Sequence, residues 1–193
     1  FETYTQILKE LYGGEELPEF NRGLYQRIIH EKGHFILPSV LPGTGQFPTS
    51  KPRAIENEQS FSLQEIREGT RIPEFFNDFP AAYATLNLSL AIQTEISLNR
   101  VGLPTGGSIY TEGGFRNNPD YNALLTAFFP DSAVYLTGME EATSFGAALL
   151  AKSAHEEVPL EELGELFAIE TQEVKRVSFD NLDAYVDAYV EHL

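Results

Sequence analysis

Between Gly106 and Lys152 the chain alternates strand-like and helix-like patterns, and that alternation limits the folds open to it. Ser108–Thr111 reads as a strand that stops at the pair Gly113-Gly114, where absent side chains let backbone approach a ligand or a neighbouring element. From about Pro119 to Phe129, Tyr121, Leu124, Leu125, Phe128 and Phe129 recur at i, i+3, i+4, i+7 and i+8, the apolar stripe of an amphipathic helix. A second strand is expected at Ala133–Leu136. A helix over Glu140–Ser153 then opens on two glutamates and passes through Gly146-Ala147-Ala148. Strand, helix, strand, helix in this order predicts an α/β layer structure with parallel pairing in the second half.

The remainder of the chain is consistent with that class. Thr3–Tyr12 has helical character and ends at Gly13-Gly14. Asn21 is placed to cap a helix over Arg22–Lys32, ending at Gly33, and His34–Val40 reads as a strand. Prolines, glycines and polar residues make Leu41–Glu58 a loop. Ser62 with Glu65 forms a capping box for a short helix to about Glu68. Asp78 or Pro80 opens the longest helix, about Ala81–Val101, whose apolar residues cover more than one face, so it should be central. A strand at Val174–Phe179 and a helix from Asn181, with Leu182, Tyr185, Val186, Tyr189 and Val190 at helical spacing, close the chain.

At 193 residues the chain can bury a sizeable core as one domain. With no cysteine, disulfides, thiolate metal sites and cysteine nucleophiles drop out. The formal net charge of -16 disfavours nucleic acid and anionic membranes as partners. No apolar run is long enough to span a bilayer and no signal peptide pattern stands at Phe1–Tyr12, while the absence of cysteine fits the expectation of a cytoplasmic enzyme. An anionic ligand would have to rely on backbone N–H groups, helix N-termini and a divalent cation rather than on a basic groove.

Two blocks carry a family resemblance. Glu112-Gly113-Gly114-Phe115-Arg116-Asn117, with Asn122 further on, resembles the Gly-Gly-Gly-Ser-x-Asn-x-x-x-x-Gln adenosine motif of the FGGY carbohydrate kinases, in the actin/hexokinase/Hsp70-like ATPase superfamily. Glu141-Ala142-Thr143-Ser144-Phe145-Gly146-Ala147-Ala148-Leu149-Leu150-Ala151 is similar to the connector that follows it. Leu41–Pro48 with Arg53-Ala54 looks like a degraded form of a proline-arginine loop of the same family. Glu112 stands where the motif has its first glycine, and Phe115 where it has a small residue. The Gly-Gly-x-x-Asn form leans towards the rhamnulokinase/fuculokinase branch.

The resemblance implies a ribonuclease-H-like lobe with a mixed sheet and packed helices, residues 1–193 being the C-terminal, nucleotide-side lobe of a two-lobe sugar kinase. It implies ATP with Mg²⁺, and phosphoryl transfer to a hydroxyl of a ketose, deoxyketose or polyol. Gly113 and Gly114 would meet the ribose and α-phosphate side, Asn117 would lie near the adenine, and Phe115 would narrow the pocket or stack in it. The catalytic aspartate and most sugar contacts would come from an N-terminal lobe, the expected partner beside the small sugar. The isolated lobe should be inactive, and a homodimer stays open. The start at Phe1 fits a piece of a longer protein. Two other classes compete: a non-catalytic actin-like interaction module, and a metabolite-binding domain of a regulator.

Other residues fit structural roles better. Gly43-Thr44-Gly45 lacks the Gly-Lys-Ser/Thr ending of a phosphate loop and reads as an exposed turn. His30 and His34 are four apart, but Gly33 intervenes and should end the helix before a shared face forms, so no metal site is expected. Asp78 caps a helix, Glu140 and Glu141 sit where a helix dipole favours acids, and Gly146 is expected to allow close helix packing.

Overall fold

The computed structural model describes residues 2–14, 16–38, 46–138, 141–164 and 169–193. In chain order the elements are α1 (Glu2–Leu11), α2 (Arg22–Glu31), β1 (His34–Leu37), β2 (Arg53–Glu56), β3 (Gln59–Ser62), α3 (Leu63–Glu68), a 3-10 turn (Glu74–Asn77), α4 (Phe79–Arg100), β4 (Ser108–Thr111), α5 (Gly113–Arg116), α6 (Pro119–Phe128), β5 (Ala133–Thr137), α7 (Ala142–Glu156), α8 (Leu160–Gly164), β6 (Thr171–Glu173) and α9 (Leu182–Glu191). They fall into two compact units. One comprises Phe1–Leu103 and Val177–Leu193, the other Pro104–Arg176.

Helix starts follow local capping chemistry. Asn21 Oδ1 accepts the Leu24 N–H at 3.1 Å, and Asp78 Oδ1 accepts that of Ala81 at 3.1 Å. Ser62 and Glu65 close the expected capping box, with the Glu65 carboxylate accepting the Ser62 N–H at 2.8 Å. At the other end of α1, Gly13 and Gly14 adopt φ of 66° and 83°, a conformation glycine reaches without a Cβ penalty.

In the first unit β1, β2 and β3 form an antiparallel sheet in that order. The segment read as a loop from Leu41 to Glu58 therefore needs correction, because β2 lies inside it. Ala54 and Ile55 are buried, and pairing on both sides outweighs the polar, proline-rich surroundings. The β2–β3 turn places Asn57 and Glu58 at φ 46° and 68°, the mirror-type two-residue hairpin, reached here without a glycine. Gly43-Thr44-Gly45 lies outside the described residues.

Helix α4 is central, as its all-round apolar pattern predicts. Every residue from Phe79 to Ser89 except Pro80 is buried, and Phe75, Phe76 and Phe79 join Leu8, Ile36, Leu86 and Tyr83 in one core. Glu56 fixes the 3-10 turn by accepting the N–H groups of Glu74 and Phe75, each at 2.7 Å. Helix α9 returns to this unit: Tyr185 donates to the His34 carbonyl at 2.8 Å and its ring lies 5.1 Å from that of Phe35. Near the chain end Arg22 donates to Ser178 O at 2.9 Å, and Gln26 and Asp180 exchange two hydrogen bonds.

One titratable group in this unit is poorly placed. Burial, and then the charge of Asp183, push the Glu95 carboxyl above its ordinary range, and its Oε2 has no partner among the described residues. The folded state thus holds a proton more tightly than the unfolded chain, so stability falls as pH rises through the folded pKa and the penalty is complete above it. Glu95→Gln is expected to raise the melting temperature at pH 7, with the two proteins converging as pH drops towards 4. Parallel melting curves across that range would contradict the account.

The second unit carries a sheet of order β4-β5-β6, with β4 and β5 parallel and β6 antiparallel to β5. Parallel pairing in the second half is thus present, bridged by α5 and α6. The last strand is shifted from the expected Val174–Phe179 to Thr171–Glu173. Val174 still donates to Val134 O at 2.9 Å, but the ladder with β5 runs only from Thr171 opposite Thr137 to Glu173 opposite Tyr135. Arg176 instead turns its guanidinium to the carbonyls of Pro130 and Ser132. Close packing at Gly146 is not observed. A Cβ there would meet nothing within 4 Å among the described residues, and no described side chain of α7 is buried.

Candidate functional site

The exposed turn between β4 and α6 gathers all four sequence-predicted site residues. Glu112 leaves β4 in an extended conformation, and Gly113 then takes φ 57°, which reverses the chain at no steric cost. Gly114 and Phe115 continue into the single turn α5. That turn is closed by Asn117 N–H to Gly114 O at 3.3 Å and Asn118 N–H to Phe115 O at 3.1 Å. Gly113, Gly114 and Asn117 are exposed, and Phe115 is 42% exposed. An added Cβ at Gly113 or Gly114 meets nothing within 4 Å among the described residues.

Three residues beneath the turn hold it. Asn118 accepts the Tyr121 N–H at 3.0 Å and so caps α6, with Pro119 in its first turn. Phe115 leans on Tyr121, ring centroids 4.8 Å apart and tilted by 39°. Asn122, only 1% exposed, donates its amide to Phe115 O at 2.8 Å, Asn118 O at 2.8 Å and Arg116 O at 3.3 Å. The Asn118-Pro119 cap was readable as a helix start, whereas the Phe115–Tyr121 contact follows from the turn's shape and has no signature of its own.

Chemically, the turn offers exposed glycine backbone, an aromatic ring and the Asn117 amide, with the acid Glu112 at its entry. It is suited to binding and positioning. The other flagged residues lie elsewhere. His34 stands 3.8 Å from Glu56 and stacks on Phe75 at 4.7 Å, while His30 is exposed in the last turn of α2. No group of three or more metal-capable side chains occurs among the described residues. Asp78 caps α4. Glu141 occupies the N-cap position of α7 but its side chain makes no capping bond, and Glu140 lies outside the described residues. No described helix is long and apolar enough to cross a membrane.

The family model for the carbohydrate kinase FGGY C-terminal domain matches residues 7–159. The chain belongs to that family. The match covers the β4–α6 turn and all of α7, so the FGGY domain includes both blocks of the resemblance. Among solved structures, a carbohydrate kinase from Novosphingobium aromaticivorans resembles it with a TM-score of 0.53 at 20% identity, over 87% of this chain. That likeness shows a shared fold. The FGGY domain described here spans 29% of the length of that kinase. No curated protein matches the chain.

Proposed function

We propose that this FGGY domain is the nucleotide-side lobe of an ATP-dependent carbohydrate kinase that phosphorylates a hydroxyl of a ketose, deoxyketose or polyol. The observation that carries the reading is the family match over residues 7–159. Within it, Gly113 and Gly114 face the ribose and α-phosphate, Asn117 lies beside the adenine, and Phe115 lines the base side of the pocket. Gly114 supports this placement. It does not have a positive φ and a Cβ there would touch nothing among the described residues, so neither its conformation nor its described packing calls for glycine. Glycine in a helical turn costs about 0.5–1 kcal/mol relative to alanine, and a ligand lying against the backbone would account for a glycine at this position.

Phosphoryl transfer needs a base for the acceptor hydroxyl and a divalent cation across the phosphates. In this reading an N-terminal lobe supplies an aspartate base and holds the sugar, a divalent cation such as Mg²⁺ would offset the phosphate charge, and closure of the two lobes excludes water. The ribonuclease-H-like arrangement, residues 1–193 as one lobe, the lean to the rhamnulokinase/fuculokinase branch and a cytoplasmic setting belong to the same proposal. So does the choice between a monomer and a homodimer.

Calorimetric titration with Mg·ADP is expected to show one saturable site. The chain alone is expected to show no ATP turnover with any ketose or polyol. Absence of ADP binding would remove the nucleotide reading and favour a contact module of the same fold. Sugar-dependent turnover by the isolated chain would overturn the two-lobe assignment.

A further inference from the structure

We infer that Asn122 is the positioning residue of the Gly113–Asn118 turn, a side-chain strut that sets where the exposed glycines and the Phe115 ring stand. Its importance for ligand binding rests on the nucleotide reading above. The strut itself rests on geometry.

Three carbonyls converge on one amide nitrogen. Asn122 sits in the first turns of α6, buried, and its Nδ2 reaches back to Phe115 O and Arg116 O in α5 and to Asn118 O at the cap. These acceptors fix the amide's orientation, because reversing it would set Oδ1 against three oxygens. The chosen orientation leaves Oδ1 buried and without a hydrogen-bond partner among the described residues. A desolvated acceptor is unfavourable, so the donor side of the amide must be what the position needs.

The helical turn α5 is weak by itself. α5 is four residues long, opens on two glycines, and has no side-chain cap at Glu112. A single helical turn fixes several dihedral angles for one or two backbone hydrogen bonds and is unstable alone. Asn122 ties two consecutive carbonyls of that turn to the body of α6, while Tyr121 supports the Phe115 ring from one side. Backbone and ring are thereby aligned on one exposed edge. A planar heteroaromatic base is the ligand class that such a held ring, next to open glycine backbone, accepts.

Asn122→Asp keeps the shape but replaces the donor with an oxygen; Asn122→Leu keeps approximate volume and removes both functions. Leu125→Ala, in the buried face of the same helix, is the control for lost stability. In the full-length protein, both Asn122 variants are expected to speed hydrogen exchange at the Asn117 and Asn118 amides by about tenfold and to weaken Mg·ADP binding by about tenfold. Leu125→Ala should lower the melting temperature while leaving exchange at the turn and ADP affinity within about twofold of wild type. Unchanged exchange at the turn in a folded Asn122→Leu protein overturns the strut, whatever happens to ADP. A wild-type protein that binds no ADP removes the nucleotide reading, and exchange then decides the strut by itself. If Asn122→Asp does not fold, Asn122→Leu carries the test.

Discussion

Gly114→Ala is expected to move stability and ligand affinity in opposite directions. Alanine favours the helical turn by about 0.5–1 kcal/mol over glycine, and at Gly114 the new methyl meets no neighbour among the described residues. The melting temperature should therefore hold or rise. Mg·ADP affinity should fall by about tenfold, because the methyl stands between the backbone and whatever lies against it. Gly114→Val, larger and β-branched, should remove measurable binding at ligand concentrations that saturate the wild type. Gly113→Ala serves as the contrast: at φ 57° alanine is strained, costing about 1 kcal/mol, so stability and affinity fall together. A Gly114→Ala protein with wild-type ADP affinity would leave that glycine without a role at a nucleotide site.

The second large effect concerns α9. Tyr185, 1% exposed, fills space against Phe35 and donates to the carbonyl of His34, the first residue of β1. Truncating a buried aromatic of this kind costs about 3–5 kcal/mol, so Tyr185→Ala should unfold the first unit at a much lower urea concentration. Tyr185→Phe keeps the packing and strips only the hydroxyl, at about 1–2 kcal/mol. The difference separates packing from hydrogen bonding. A loss below about 0.5 kcal/mol for Tyr185→Phe would show that the carbonyl of His34 finds another donor.

Local chemistry was legible in the sequence and distant pairing was not. Asn21, Ser62 with Glu65, and Asp78 announce their helices because capping is settled within three residues, and α4 declares its burial through a pattern with no polar face. The strands β2 and β3 were missed since their hairpin turn uses Asn57-Glu58, whose positive φ values are carried without the usual glycine. β6 was misplaced because its start depends on where β5 ends, a fact of pairing and not of composition. At the site, Gly113 and Gly114 stand out as residues, yet what fixes their turn is an amide several positions on. Asn122 aligns with a motif position, but nothing in its identity says that three carbonyls meet there. The small residues around Gly146 mislead in the other direction, since spacing suited to close packing does not itself supply a neighbour.

The split composition of the first unit has a bearing on synthesis. Its early part ends at Leu103, and its closing segment starts only at Val177, after the whole of the second unit has been made. A ribosome adding about 5–20 residues per second leaves an interval on the order of ten seconds between the two parts. During it, Phe35 and the carbonyl of His34 have been translated, while Tyr185 and Tyr189, which later cover them, have not. The continuous unit, Pro104–Arg176, is translated without interruption, whereas the discontinuous one must wait for its last helix. Translation order thus leaves the Phe35 face of the first unit uncovered until the last helix has been made.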